Sequence, residues 1–370
     1  GATLFLGTLV NLYSVERGFE TDDVIVLSVR SSRPYEAARA FAVQRAMLEH
    51  LKSVPGIRSA SAAQMLPLGG GLWTRGVQIE GYTFRADESN SVGFNVIAPD
   101  YFATLGTPLM LGREFDDRDS GISRKVAIVN ESFARDFFGS APGAIGRRVT
   151  SVDVTYEIVG VVRDAKYQSL RQPLMKTMYI SWLQHDGDQP TRYKYLARVD
   201  VDNPMRLPPS LERLVREVDP SLHVQTTLTY GTLIGRSIVT ERIMATLGGF
   251  FGVLALIVAS IGLFGLLAFQ VSRRTNELGV RMALGATRRA MISLVLRDVA
   301  GMVVAGVLIG TAAALTLSGL ARSMLFGLTS TAPAAFVIAG FTLGLTALLA
   351  AWLPARRASR VDPVIALRHE

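Results

Sequence analysis

The chain has 370 residues, 49% of them hydrophobic, and a positive mean hydropathy, which is too apolar for an ordinary soluble protein of two or three structural units. Its net charge of +8 is not the footprint of a nucleic-acid surface, because residues 1 to 241 carry 27 basic and 27 acidic side chains and the whole surplus lies beyond them, beside apolar segments. The absence of cysteine excludes a disulfide framework and any cysteine-based metal or redox site.

In chain order, Gly1 to Val10 is an uncharged, mostly apolar run that gives way to Glu16 and Arg17. Ten residues are fewer than the roughly 20 that span a bilayer. Residues 1–15 are therefore expected to be the end of a truncated first membrane helix that starts upstream, with a buried strand or a trimmed signal sequence as alternatives.

Residues 16–230 read as mixed α/β. Val24 to Val29 is rich in β-branched residues and predicts a strand, and Tyr35 to Lys52 has helical spacing ended by Pro55 and Gly56. Further strands are expected at Gly76 to Glu80, Val126 to Val129, Tyr156 to Val162, Tyr193 to Val199 and Val224 to Thr227. Helices are expected at Glu131 to Phe138 and Pro209 to Val218, with turns such as Leu68 to Gly71 between elements. This intermixing predicts an α+β extracytoplasmic domain of two small lobes, carried on an all-α transmembrane bundle of three complete spans plus a fourth truncated at the N-terminus. Residues 231–245 are expected to run as one rigid stalk helix into the first span.

Residues 246–353 carry the membrane signal. Thirty residues between Arg242 and Arg273 are uncharged, long enough at 1.5 Å per residue to cross the roughly 30 Å hydrocarbon core. Spans are predicted near 246–271, 299–321 and 334–353. Each holds a small-xxx-small pair, Gly248 with Gly252, Gly306 with Gly310, and Gly340 with Gly344, suited to close helix packing, although glycine is common in such helices anyway. The arginines cluster in 272–298 and in the tail 354–370, while the connection from Arg322 to Pro333 has one. Basic residues near span ends stay cytoplasmic, so the large domain is expected outside and the C-terminus inside.

The cytoplasmic segment reads SRRTNELGVRMALGATRRAMISLVLRD, and Gly285 and Thr287 can end one helix and begin the next. The first helix is amphipathic, with Leu278, Met282 and Ala283 opposite Arg274, Glu277 and Arg281, as in helices that lie along a membrane surface. Glu277 and Arg281 are adjacent at i,i+4. This polar face either receives a cytoplasmic partner or enforces topology against lipid head groups.

These phrases carry a resemblance. NELGVRMALGATRRAMISLVLRD and the terminal PARRASRVDPVIALRHE are similar to the FtsX-like permease domain of MacB-type ABC transporters. PDYFATLGTPLMLGREFDDRD from Pro99, VAIVNESFARDFFG from Val126 and EIVGVVRDAKYQSLRQP from Glu157 resemble the MacB-like periplasmic core domain. The resemblance implies a multi-pass protein of the bacterial inner membrane that pairs with a second permease unit, in a homodimer or with a duplicated partner. It also implies a cytoplasmic ABC ATPase subunit docked at Arg274, Asn276, Glu277, Gly279, Arg281 and Gly285, whose cycle moves the outer domain for export or mechanotransmission. The 370 residues contain no G-x-x-x-x-G-K-[ST] loop, so the ATPase is expected on a partner chain.

No catalytic constellation, metal site or cofactor is predicted. His50, His185, His223 and His369 are scattered, and the acidic cluster Glu114, Asp116, Asp117 and Asp119 lacks the calcium-loop spacing and reads as a solvated turn. Gly69 to Gly71 reads as a surface loop, since no Lys follows it. Two other functions fit the same architecture: a regulator that activates a cell-wall hydrolase through a periplasmic contact, and a membrane-anchored sensor or scaffold without an ATPase.

Overall fold

Strand β1 (Val24–Ser31) forms from a run of β-branched and apolar residues whose first four side chains are all buried. In the computed structural model, which describes residues 15–185, 193–200, 208–273, 284, 287–318, 340–347 and 349, it lies antiparallel between β11 (Lys194–Val199) and β12 (Leu222–Thr229). β11 pairs in turn with β2 (Ile57–Ala63). These four strands make one half of a sheet.

The other half is mixed. β5 (Ser91–Ile97) and β10 (Thr177–Ser181) run parallel, as do β7 (Val126–Asn130) and β9 (Val154–Val162), while β10 and β7 are antiparallel. β8 (Arg148–Ser151) and β4 (Gln78–Ile79) complete that side, with β3 (Trp73–Gly76) on β5 and β6 (Leu109–Gly112) on β9. The single residue pair Ala63 with Ile97 joins the halves. The two expected lobes are thus halves of one 12-stranded sheet.

One face of both halves is covered by helices α1 (Ala37–Ser53), α3 (Glu131–Phe138), which the one-turn α4 (Ala141–Ala144) follows, and α5 (Pro208–Val218), the short helix α2 (Tyr101–Leu105) being on the other side. Met47, Leu51, Leu27, Tyr195 and Leu214 belong to the same buried cluster as Phe94, Phe133, Ile158 and Met178, so the core is continuous across the sheet. The two expected lobes therefore share one core. The expected strand Gly76 to Glu80 is also two strands, because the chain changes partner at Val77, whose N–H donates to the Asn90 carbonyl at 2.9 Å.

Asp219 closes the turn from α5 into β12. Its carboxylate accepts from the Ser221 N–H at 2.8 Å, from the Ser221 hydroxyl at 2.7 Å and from Arg39 of α1 at 3.1 Å. The Ser221 N–H and hydroxyl, and then Arg39, hold it well below the usual carboxylate range. Because the folded value lies below the unfolded one, Asp219 stabilises the fold above about pH 4, and that contribution is lost as pH falls through the folded value. Asp219→Asn is expected to lower the unfolding temperature more at pH 7 than at pH 3; an equal drop at both would remove the ionised carboxylate from the turn.

The remainder of the chain forms a second unit, residues 1–14 with 240–370. Helix α6 (Tyr230–Ser237) ends at Ile238, whose φ of −114° and ψ of 15° leave the helical range, and α7 (Val239–Arg273) starts directly after it. The expected single stalk helix is therefore two. Within α7, Arg242–Gln270 is long and apolar enough to cross a membrane. Phe250, Phe251, Val258 and Ile261 leave large apolar side chains exposed along one broad face of it. Helix α8 (Arg288–Ser318) starts one residue after Thr287 and holds the shorter apolar stretch Ala300–Ala313. Residues 340–347 are helical, and most of 319–353 lies outside the described residues.

Candidate functional site

The outer unit is connected to the rest of the chain at its start, residues 15–19, and at its end, through α6. The hydroxyl of Thr229 accepts from the Thr232 N–H at 3.3 Å and caps α6. Leu233 of this helix faces Val26 and Leu228, whose side chains alternate with Leu27 and so lie on the face that α1 leaves uncovered.

Tyr230, the first residue of α6, is completely buried, and its hydroxyl donates to the Pro67 carbonyl at 2.7 Å. Phe19 meets the Tyr230 ring edge to face with centroids 5.4 Å apart. The two connections thus touch each other. The N-terminal one is fastened a second time at Gly18, whose φ of +79° suits glycine and where an added Cβ would lie 1.7 Å from the Asp164 carbonyl oxygen. Beside it the Lys166 N–H donates to the Arg17 carbonyl at 3.0 Å. The Glu16–Arg163 pair at 2.8 Å has both partners exposed and adds little.

Asp164 ties this strap to the core. Its side chain accepts from Asn130 Nδ2 at 2.6 Å, from the Ser132 N–H at 2.9 Å and from the Ser132 hydroxyl at 2.5 Å, at the N-terminus of α3 where a carboxylate is favoured. Asn130 caps the same helix and holds the Thr177 N–H at 2.8 Å, so β7, β10 and the strap share one polar node.

Behind Tyr230, Tyr101 and Tyr167 pair through their hydroxyls at 2.8 Å, and Asn95 Nδ2 donates to Tyr167 at 3.2 Å. Tyr179 packs on Phe102 at 5.0 Å and on Tyr167 at 6.2 Å. Burial pushes the hydroxyls of Tyr101, Tyr179 and Tyr230 well above their ordinary value, so they remain neutral donors. With these hydroxyls neutral and Asp164 held by three donors, the arrangement fastens the chain. A buried polar network satisfied in this way rigidifies the patch in which both connections root.

The sequence-predicted residues are distributed differently. Arg274, Asn276, Glu277, Gly279, Arg281 and Gly285 lie outside the described residues. Gly248 and Gly252 are half-buried on α7, and a Cβ at Gly340 would meet Val307 at 3.7 Å, whereas Gly306, Gly310 and Gly344 face open space within this chain. The acidic cluster is not a solvated turn throughout: Asp119 is buried in a bidentate pair with Arg113, both contacts at 2.7 Å, and Arg118 holds Asp116. Arg113 and Arg118 compensate these charges locally. Gly18, Asp164 and the tyrosine patch were missed, and the legible signal was Asn130 between a strand and a helix, a capping residue in a family phrase.

Residues 2–201 match the family model described as MacB-like periplasmic core domain, and residues 249–363 match that described as FtsX-like permease C-terminal. The chain belongs to this MacB/FtsX family of ABC-transporter permeases, inner-membrane proteins with a periplasmic domain. The Pyoverdine export ATP-binding/permease protein PvdT of Pseudomonas aeruginosa is 26% identical over 274 residues, 72% of this chain and 41% of that protein. The Macrolide export ATP-binding/permease protein MacB of Burkholderia cenocepacia is 25% identical over 291 residues, 74% of this chain and 41% of that protein. The chain spans about two fifths of the length of these curated relatives. Among solved structures, the periplasmic region of MacB from Actinobacillus actinomycetemcomitans has a TM-score of 0.40 at 15% identity, covering 62% of this chain and 97% of that one. The extracellular domain of YknZ from Gram-positive bacteria has a TM-score of 0.36 at 15% identity, covering 54% and 100%.

Proposed function

We propose that the chain is a permease subunit in which ATP turnover by a cytoplasmic ATPase, carried on a partner chain, is converted into movement of the periplasmic domain. The observation that carries this reading is the shared root of the two connections: residues 15–19 and α6 meet at Phe19 and Tyr230 in one buried, hydrogen-bonded patch. A displacement of either connection loads the whole sheet instead of fraying one end of it. The segment 272–298 supplies the docking surface, with Arg274, Asn276, Glu277, Gly279, Arg281 and Gly285 facing the ATPase. Three spans, near 246–271, 299–321 and 334–353, anchor the domain, and the glycine pairs, among them the exposed Gly306 and Gly310, receive a second permease unit.

The test is co-purification from native membranes in mild detergent, followed by identification of bound chains and an ATPase assay. Recovery of a P-loop ATPase whose turnover rises in the complex supports the reading. A protein that emerges without any ATPase under gentle conditions would reject it in favour of an anchored sensor or scaffold.

A further inference from the structure

Two adjoining cavities open on the sheet face that carries Ser28 and Lys194, residues that line both of them. The first, of about 430 Å³, lies between β1, β12 and α6 and is bounded by Leu228, Leu233, Arg236 and the turn at Gly69. The second, of about 680 Å³, runs past Arg30 and Arg33 to Met65 and Trp73. Each has the size of a small-molecule site.

The charge lining this space has one sign. Lys194, Arg236, Arg30 and Arg33 contribute to the walls, and among the described residues no Asp or Glu does. Arg33 has Asp219 at 3.7 Å, but Lys194, Arg30 and Arg236 form no ion pair among the described residues. Lys194 is half-buried, and its ammonium donates to the Gly69 carbonyl at 3.0 Å. Burial lowers its pKa with no anion to offset the desolvation. Such a group gains most from an anionic partner. Trp73, 37% exposed, and Met65 add an apolar wall at the far end of the second cavity.

We infer that these joined cavities bind a small organic anion, with its acid group at Lys194, the charged residue common to both, and its apolar body against Met65 and Trp73. The site lies entirely in the outer unit and does not depend on the ATPase reading, so a protein that docks no ATPase still binds the ligand. One wall is α6, which places the ligand against the connection that leads to the membrane helix.

The probe is 8-hydroxypyrene-1,3,6-trisulfonate, a membrane-impermeant aromatic anion, titrated against the full chain in a neutral detergent and followed by fluorescence anisotropy. Saturable binding is expected, weakened about tenfold or more by Lys194→Gln and by Arg236→Gln, since each removes a charged contact. Arg58→Gln removes the same charge from an exposed position elsewhere on β2 and is expected to leave binding unchanged. Arg236 is exposed, so its variant keeps the test decisive where Lys194→Gln disturbs folding. Trp73→Ala is expected to weaken the dye as well. Absence of saturable binding, or equal weakening by Arg58→Gln, overturns the site; displacement of the dye by inorganic phosphate as readily as by 1-naphthoate overturns the organic nature of the ligand.

Discussion

Glu277→Arg is expected to abolish stimulation of the partner ATPase while the chain still inserts in the membrane and its outer domain still folds. The substitution is expected to change little in the amphipathic helix that the sequence predicts for this segment, because a like-charge i,i+4 pair with Arg281 destabilises a helix by only about 0.2–0.5 kcal/mol. It cannot invert the topology either, since it adds a positive charge to a segment already expected on the cytoplasmic side. At a docking surface the balance is different. Reversing a charge that meets a complementary partner costs about 2–5 kcal/mol, a loss of roughly 30-fold to several thousand-fold in affinity. ATPase turnover of the reconstituted complex is the readout, with Glu277→Gln as the intermediate case. Normal stimulation in the reversed variant would eliminate the role assigned to this face, and the arginines of 272–298 would then serve topology alone.

Gly18→Val is expected to lower the stability of the outer domain by about 4 kcal/mol, which for a unit of this size corresponds to roughly 8–16 °C in unfolding temperature. Two costs combine at this position. A side chain at a φ of +79° is strained by about 1–2 kcal/mol. Its Cβ would also lie 1.7 Å from the Asp164 carbonyl oxygen, so the backbone must part, and the Lys166 to Arg17 hydrogen bond breaks with it. Gly81→Ala separates the terms, because Gly81 has a φ of +78° and a Cβ there meets nothing within 4 Å. That variant is expected to lose only the conformational part. If Gly18→Val and Gly81→Ala shift the unfolding temperature equally, the strap at Gly18 is not packed on Asp164. In the complex, Gly18→Val is further expected to lower coupling of ATP turnover to the outer domain, since one of its two connections is then unfastened.

Some elements are legible because their own residues decide them. The first four residues of β1 and the whole of β7 are mostly β-branched or apolar and buried on both faces, and α1 repeats its apolar residues with a period of 3.6 until Pro55 stops it. Others were invisible for equally specific reasons. β2, with the sequence IRSASAA, has small residues of low strand propensity, and it is extended because Ala60 and Ala62 fit in the buried core beside α1 while its backbone completes β11. β5 is interrupted by Asn95, which looks like a loop residue until its partners Met65 and Tyr167 are in place, and the five residues of β10 are too short a run to stand out, their first backbone N–H, at Thr177, being held by the Asn130 side chain. In the buried node, Asp164 is compensated by groups 32 and 34 residues away in the chain, a relation no local pattern contains.

What the sequence by itself determined is whatever depends on solvent and on neighbours along the chain. The apolar length of Arg242–Gln270 decides that this helix can cross a membrane, the arginine distribution decides its expected direction, and the family phrases decide the class of permease. Tertiary structure alone decided that both connections root at Phe19 and Tyr230, that Gly18 is locked by Asp164, that the stalk breaks at Ile238, and that Lys194 shares a space with three arginines. Apart from the local break at Ile238, these are relations between residues far apart in sequence, set by strand order and burial, and hydrophobic periodicity carries no information about which distant surfaces will meet.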